Sequence, residues 1–224
     1  MASLPSKLKL FSRELDWLSE ILSDSLALSS TKGKEAFKSF NEVYNNKSIT
    51  GEQAEESFFT LVKYNLHFDY ITLHSLFVTA YSFFEHFILD FGSKIEELSE
   101  SNTKIADIDS EGGEVNRVRK YLFSVHNFKS ASSDAFQWND LVNFQQVRNL
   151  INHNQSKLKN KKSENEHLKP FLKKFDARIT NTGMFQIRNK EFMERFKVIA
   201  LSFTDALAND CCKMFKENKA EAGG

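Results

Sequence analysis

The sequence predicts an all-α fold, a bundle of four to five helices preceded by an N-terminal helical extension. Three observations predict it. Apolar residues recur at three- and four-residue steps over most of the chain, the period of a helix with one buried face. Between residues 52 and 91 there is neither Gly nor Pro, so nothing local interrupts a helix there. Helix starts are signalled by two capping boxes, Thr50-x-x-Gln53 and Ser163-x-x-Glu166.

Taken in order, residues 6–29 carry Leu8, Phe11, Leu15, Leu18, Leu22 and Leu26 on one stripe, with Glu14, Asp16, Glu20 and Asp24 off it. Ser29, Ser30, Thr31, Lys32 and Gly33 predict a break, and residues 34–45 a second short helix packed on Phe37, Phe40 and Tyr44. The segment from 51 follows. Its half over 73–91 is apolar nearly all round, which predicts the central buried helix. Forty residues is long for one helix of a globular domain, so a bend is expected near 65–69. Gly92 marks a local ending or is passed over, since 94–98 also read as helical.

Residues 99–113 are a polar loop ending in Gly112 and Gly113. Residues 114–125 predict a helix with Val115, Val118, Leu122 and Val125 inward and Arg117, Arg119 and Lys120 outward. Residues 136–154 form the next helix, on Phe136, Leu141, Phe144 and Val147. A short helix through Leu168, Phe171, Leu172 and Phe175 is kinked or restarted by Pro170. A turn at Asn181-Thr182-Gly183 and a brief extended piece over 184–187 lead to a last helix, capped by Asn189. Its stripe is Phe192, Phe196, Ile199, Phe203, Leu207, Cys211 and Phe215. The predicted organisation is an N-terminal extension over 1–50, a bundle domain over 51–217 and a disordered tail over 218–224.

Composition narrows the class. Hydrophobic residues make up 41% and charged residues 27%, ordinary for a globular protein, while 22 phenylalanines argue for a thick apolar core. No apolar run reaches the ~18–20 residues that span a bilayer, so no membrane partner is expected. Lys7, Lys9, Arg13, Glu14 and Asp16 interrupt any signal-peptide layout. Cys211 and Cys212 are adjacent, which suits neither a mutual disulfide nor a metal pattern. These features predict a cytoplasmic protein. His67, His74 and His86 lack a carboxylate or cysteine to complete a ligand set and read as packing or surface histidines. No metal and no cofactor is expected. The net charge of zero hides an asymmetry: residues 117–197 hold 17 Lys and Arg against 7 Asp and Glu, a net of +10. Such a region favours polyanions through counterion release.

Within that block lies the stretch Val147-Arg148-Asn149-Leu150-Ile151-Asn152-His153-Asn154. It sets an arginine, an amide and a histidine into an otherwise amphipathic helix. At about 100° per residue, Asn149 and His153 fall nearly on one face and Arg148 on its flank. RNA carries its own nucleophile, the 2′-hydroxyl. Its cleavage needs that oxygen deprotonated, the leaving 5′-oxygen protonated, and the phosphoryl oxygens stabilised. A histidine titrates near neutral pH and shuttles protons. An arginine stays charged and holds phosphate with a planar fork. Asn149 is placed to orient His153 or to bind RNA. Lys157, Lys159, Lys161 and Lys162 follow at once and are candidates for the RNA backbone. Read without that chemistry, Arg148 and His153 are a buried polar pair tying helices together, or cations at a helix C-terminus.

The Arg-Asn-x-x-x-His spacing resembles the signature of the HEPN superfamily (higher eukaryotes and prokaryotes nucleotide-binding domains), many of whose members are metal-independent endoribonucleases. The run Tyr81-Ser82-Phe83-Phe84-Glu85-His86-Phe87 also resembles the aromatic core helix with an acidic residue in that superfamily. The helix order matches from about 51 to 215, leaving the first fifty residues outside the resemblance. The resemblance implies a HEPN-like bundle with Arg148, Asn149 and His153 as catalytic residues and Glu85 supporting them as the partner of Arg148. It implies cleavage to a 2′,3′-cyclic phosphate, and a homodimer across the motif helix, since one histidine is thin for both acid and base work. It further implies a toxin or antiviral-defence setting, with an antitoxin or defence-complex partner. The alternative is a non-catalytic helical module that binds RNA or a protein partner.

Overall fold

Residues 4–46, 50–99, 101–109, 111–158 and 167–222 are described by the computed structural model, and the fold is all-α. Its main elements are α1 (Leu4–Asn45), α2 (Gly51–Val62), α3 (Phe68–Leu98), α4 (Glu114–His126), α5 (Phe136–Asn154), α6 (Leu168–Lys173) and α7 (Glu191–Ala222). A two-stranded antiparallel hairpin, β1 (Arg178–Ile179) and β2 (Phe185–Gln186), pairs Arg178 with Gln186 and Ile179 with Phe185. Among the described residues no helix is long and apolar enough to cross a membrane.

The chain divides into two compact units. One holds the residues up to Asp16, Thr79–Asn149 and the residues from Glu194; the other holds Trp17–Val78 and Leu150–Met193. None of these boundaries coincides with the division expected at residue 50. In the first unit the opening turns of α1 are core rather than extension: Phe11 stacks on Phe87 at 5.1 Å, and Lys7 pairs with Asp90. Around them Phe84, Phe144 and Phe196 meet edge to face, at 6.0 Å for Phe84–Phe196 and 5.3 Å for Phe144–Phe196. Such pairs contribute about 0.5–1.5 kcal/mol each beyond area burial. The stripe expected on α7 is buried from Phe196 through Phe203 and Leu207 to Cys211. Cys212, one residue on, faces out. The helix continues to Ala222, through most of the stretch expected as a tail.

α3 passes Gly92 without ending. A Cβ there would stand 2.4 Å from Val118 Cγ1, so the glycine is what lets α3 and α4 approach. Gly92→Ala should therefore lower stability by about 1–2 kcal/mol, because overpacking against fully buried Val118 outweighs the ~1 kcal/mol gain in helix propensity. A denaturant midpoint at or above wild type would contradict it. Arg119, expected outward, is instead 8% exposed. It donates from Nη1 to the Ala131 carbonyl at 2.7 Å and from Nε to Asn116 Oδ1 at 2.8 Å, and covers the Trp138 ring at 4.8 Å. Burial of its charge is tolerable because those donors are satisfied.

In the second unit the break expected at residues 29–33 is absent; α1 runs through it. Thr31 Oγ1 bonds back to the Ala27 carbonyl, Lys32 pairs with Glu35, and buried Ser29 donates to the Tyr64 carbonyl. Gly33 sits where a Cβ would come 2.8 Å from Asn65 Oδ1, so it serves close approach and not chain reversal. The aromatic residues beyond it do not bury as expected: Phe37 is 57% and Tyr44 78% exposed. The capping box at Thr50 and Gln53 forms, with bonds of 3.4 and 3.2 Å. Close to where a bend was expected, 65–69, the chain makes a π-helical turn, Lys63–His67. Phe77, Phe175 and Phe192 are the aromatic centre of this unit, with ring centroids 4.7 Å apart for Phe77–Phe192 and 5.1 Å for Phe175–Phe192. Asn189 Oδ1 accepts from the Glu191 N–H at 2.9 Å, the cap expected for α7.

Candidate functional site

α5 is built by Leu141, Phe144 and Val147, which bury one face and leave Arg148 and Asn149 on its edge. Arg148 is held on two sides. Its Nη2 donates to Glu85 Oε2 at 2.8 Å, and its Nη1 donates to Asn149 Oδ1 at 3.0 Å. The guanidinium also lies 5.6 Å from the Tyr81 ring centroid. The Arg148 and Glu85 side chains keep 20% and 27% exposure, so the pair is sheltered but reachable. Burial first, and then the neighbouring Glu85 carboxylate, push the Tyr81 phenol well above its ordinary range, so it stays neutral beneath the cation. Each terminal nitrogen of Arg148 carries two hydrogens. One on each nitrogen is used, and one on each remains for a ligand. Arg148 Nε is buried and makes no hydrogen bond among the described residues.

His153 lies on the last turn of α5, exposed, with no hydrogen bond or ion pair to any described residue. The helix ends one residue later. Gln155 and Ser156 then take left-handed backbone angles, φ 51° and 59°, and turn the chain away. Asn154 Nδ2 donates to the Lys157 carbonyl, and Lys157 N–H returns to the Asn154 carbonyl at 2.9 Å. Ser156 O accepts from Phe185 N–H at 2.8 Å, and Leu158 N–H donates to Gly183 O at 2.9 Å. The segment after His153 is thus fastened to the β1–β2 hairpin. Of the lysines predicted to meet RNA, Lys157 is exposed; Lys159, Lys161 and Lys162 lie outside the described residues, as does the capping box at Ser163 and Glu166.

A residue read from the sequence as a packing or surface histidine fastens the same segment from within. His74, on α3, is buried. Its Nε2 accepts from the Ile187 N–H at 3.1 Å, and its Nδ1 lies 3.1 Å from Ser156 Oγ. With Nε2 an acceptor, the ring proton sits on Nδ1 and is donated to Ser156. Tyr70 and Phe185 close around the ring, each at 5.6 Å. The available signal was a histidine inside a helix apolar nearly all round. Among the described residues no three His, Cys, Asp or Glu side chains gather as a metal site.

Compared with known proteins, the chain matches no family model, no curated protein and no solved structure.

Proposed function

We propose that the protein is a metal-independent endoribonuclease of HEPN type. The observation that carries this reading is the Arg148 guanidinium, fixed by Glu85 and Asn149 with donors to spare, on the helix whose last turn presents exposed His153, without a partner among the described residues. In this reading the RNA 2′-oxygen attacks the adjacent phosphorus. The P–O2′ bond forms, the P–O5′ bond breaks, and the products are a 2′,3′-cyclic phosphate and a 5′-hydroxyl. Arg148 bears the charge on the phosphoryl oxygens, and Asn149 holds Arg148 in place. His153 supplies one of the two proton transfers, and a second copy facing it across α5 supplies the other. The active form is then a homodimer. Lys157, Lys159, Lys161 and Lys162, within the region of net +10, hold the RNA backbone. The setting proposed is cytoplasmic toxin or antiviral-defence activity, with an antitoxin or defence partner restraining it.

Purified protein incubated with total RNA in EDTA tests this reading. Fragments ending in 2′,3′-cyclic phosphate are expected, and RNA left intact at micromolar protein would overturn it. A second reading, a non-catalytic scaffold, is favoured by one observation. Phe37, Tyr44, Phe58 and Phe59 are all exposed on α1 and α2, the kind of apolar surface that marks a protein partner. Intact RNA in the same experiment favours that reading.

A further inference from the structure

Next to Asn149, and wholly within the first unit, α4 and α5 bound a cleft of about 570 Å³, a size typical of small-ligand sites. Its lining is unusual for a surface groove because it is dominated by amides. Asn116, Gln145, Gln146 and Asn149 face it, with Trp138 and Val142 as its apolar part. Glu111 and the backbone of Gly112 and Gly113 complete the lining. The one cation among the lining residues, Lys120, is already paired with Asp109 at 3.0 Å. The cleft is therefore poorly suited to a phosphate and well suited to a neutral, planar, hydrogen-bonding group.

Its hydrogen-bonding capacity is partly spent and partly open. Asn116 is consumed internally, donating to the Glu111 carbonyl and accepting from Arg119. Gln145 donates from Nε2 to the Gly112 carbonyl at 3.3 Å, which leaves Oε1 without a partner among the described residues. Asn149 accepts from Arg148 through Oδ1, which leaves Nδ2 without one. The two residues are four apart on α5, so their side chains are neighbours on one helix face. An open acceptor and an open donor side by side match the paired donor and acceptor on the edge of a nucleobase. Asn149 is also the residue that bonds Arg148. A base in the cleft and a phosphate at Arg148 would then be joined through one shared side chain.

We propose that this cleft is a nucleobase-binding subsite, which seats a base of the strand whose phosphate meets Arg148. The proposal rests on the endoribonuclease reading for its substrate but not for its test, which reads binding alone. Wild type, Gln145→Leu and Val142→Phe are titrated with the four nucleoside 5′-monophosphates, with ribose 5-phosphate, and with 2′-O-methyl oligonucleotides that cannot be cleaved. Side-chain amide NMR resonances of Gln145 and Asn149 report occupancy. At least one nucleotide should shift both resonances. Gln145→Leu or Val142→Phe should weaken that binding by roughly tenfold or more, the loss of one hydrogen-bonded contact or of the space itself. Ribose 5-phosphate should bind wild type and variants alike. Tighter binding of the oligonucleotide than of the mononucleotide identifies a strand as the source of the base; the reverse identifies a free nucleotide and overturns the strand assignment. If no base perturbs Gln145, or if Val142→Phe leaves base binding unchanged, the subsite is wrong even where RNA is cleaved. Base-dependent binding without cleavage upholds the subsite and defeats the nuclease reading.

Discussion

His153→Ala is expected to lose RNA cleavage by about 10²–10⁴-fold, the usual effect of removing a general acid or base, at an unchanged melting temperature. The two halves of that expectation have separate causes. Activity falls because no other titratable group on the last turn of α5 replaces the imidazole. Stability holds because His153 is exposed and unbonded among the described residues, and changes at such positions stay within about ±0.5 kcal/mol. Arg148→Ala should contrast with it. It also removes the guanidinium, but it strips Glu85 of the partner at 2.8 Å and costs about 1.5–3 kcal/mol, the range for a hydrogen bond to a charged group. Cleavage at the wild-type rate by folded His153→Ala protein would overturn the site assignment. Inactivity accompanied by unfolding would mean that His153 is structural.

The second large effect is on stability. Burial pushes the His74 pKa down from 6.5 to about 4. Above pH 6.5 the ring is neutral in both folded and unfolded chains and contributes no pH dependence. As pH falls below 6.5 the unfolded chain takes up a proton that the folded chain refuses, so stability falls with it. The loss continues until about pH 4, where the folded ring protonates too, and it sums to about 3 kcal/mol at ~1.4 kcal/mol per pH unit. The chemical reason is specific. A protonated Nε2 no longer accepts from the Ile187 N–H, and a charge appears between Tyr70 and Phe185. His74→Gln keeps an acceptor without the titration, and its melting temperature should follow pH less steeply between 6.5 and 4. Parallel profiles for the two proteins would exclude His74 as the cause.

What could be read along the chain was whatever depends on near neighbours. The Thr50–Gln53 box, the Asn189 cap and the buried stripe of α7 are each set by residues within a few turns, and each forms. The buried half of α3 was legible because a helix apolar all round has nowhere else to go. The contact of Glu85 with Arg148 was expected for a different reason: a carboxylate among phenylalanines is costly to bury without a cation, and the resemblance pointed to Arg148. Two of the misreadings share one cause, a partner far away in sequence. Serine, threonine and glycine at 29–33 resemble a break until Asn65 and the Tyr64 carbonyl are placed against them. Arg119 looks like a surface residue until the Ala131 carbonyl and the Trp138 ring receive it. His74, read as a packing or surface histidine, is a packing one, but its partners lie 82 and 113 positions away, which no local pattern announces.

The two cysteines at the end of α7 have a practical consequence. Cys211 is buried, and its thiol is pushed up to about 11 by that burial and by Cys212 beside it, whereas Cys212 is exposed. Alkylation proceeds through the thiolate at an accessible sulfur. A maleimide dye at neutral pH therefore has one attachment point in the natural sequence. Batches carrying donor and acceptor fluorophores at Cys212 could be mixed without any engineered residue, and energy transfer between them would report whether two copies of the chain associate.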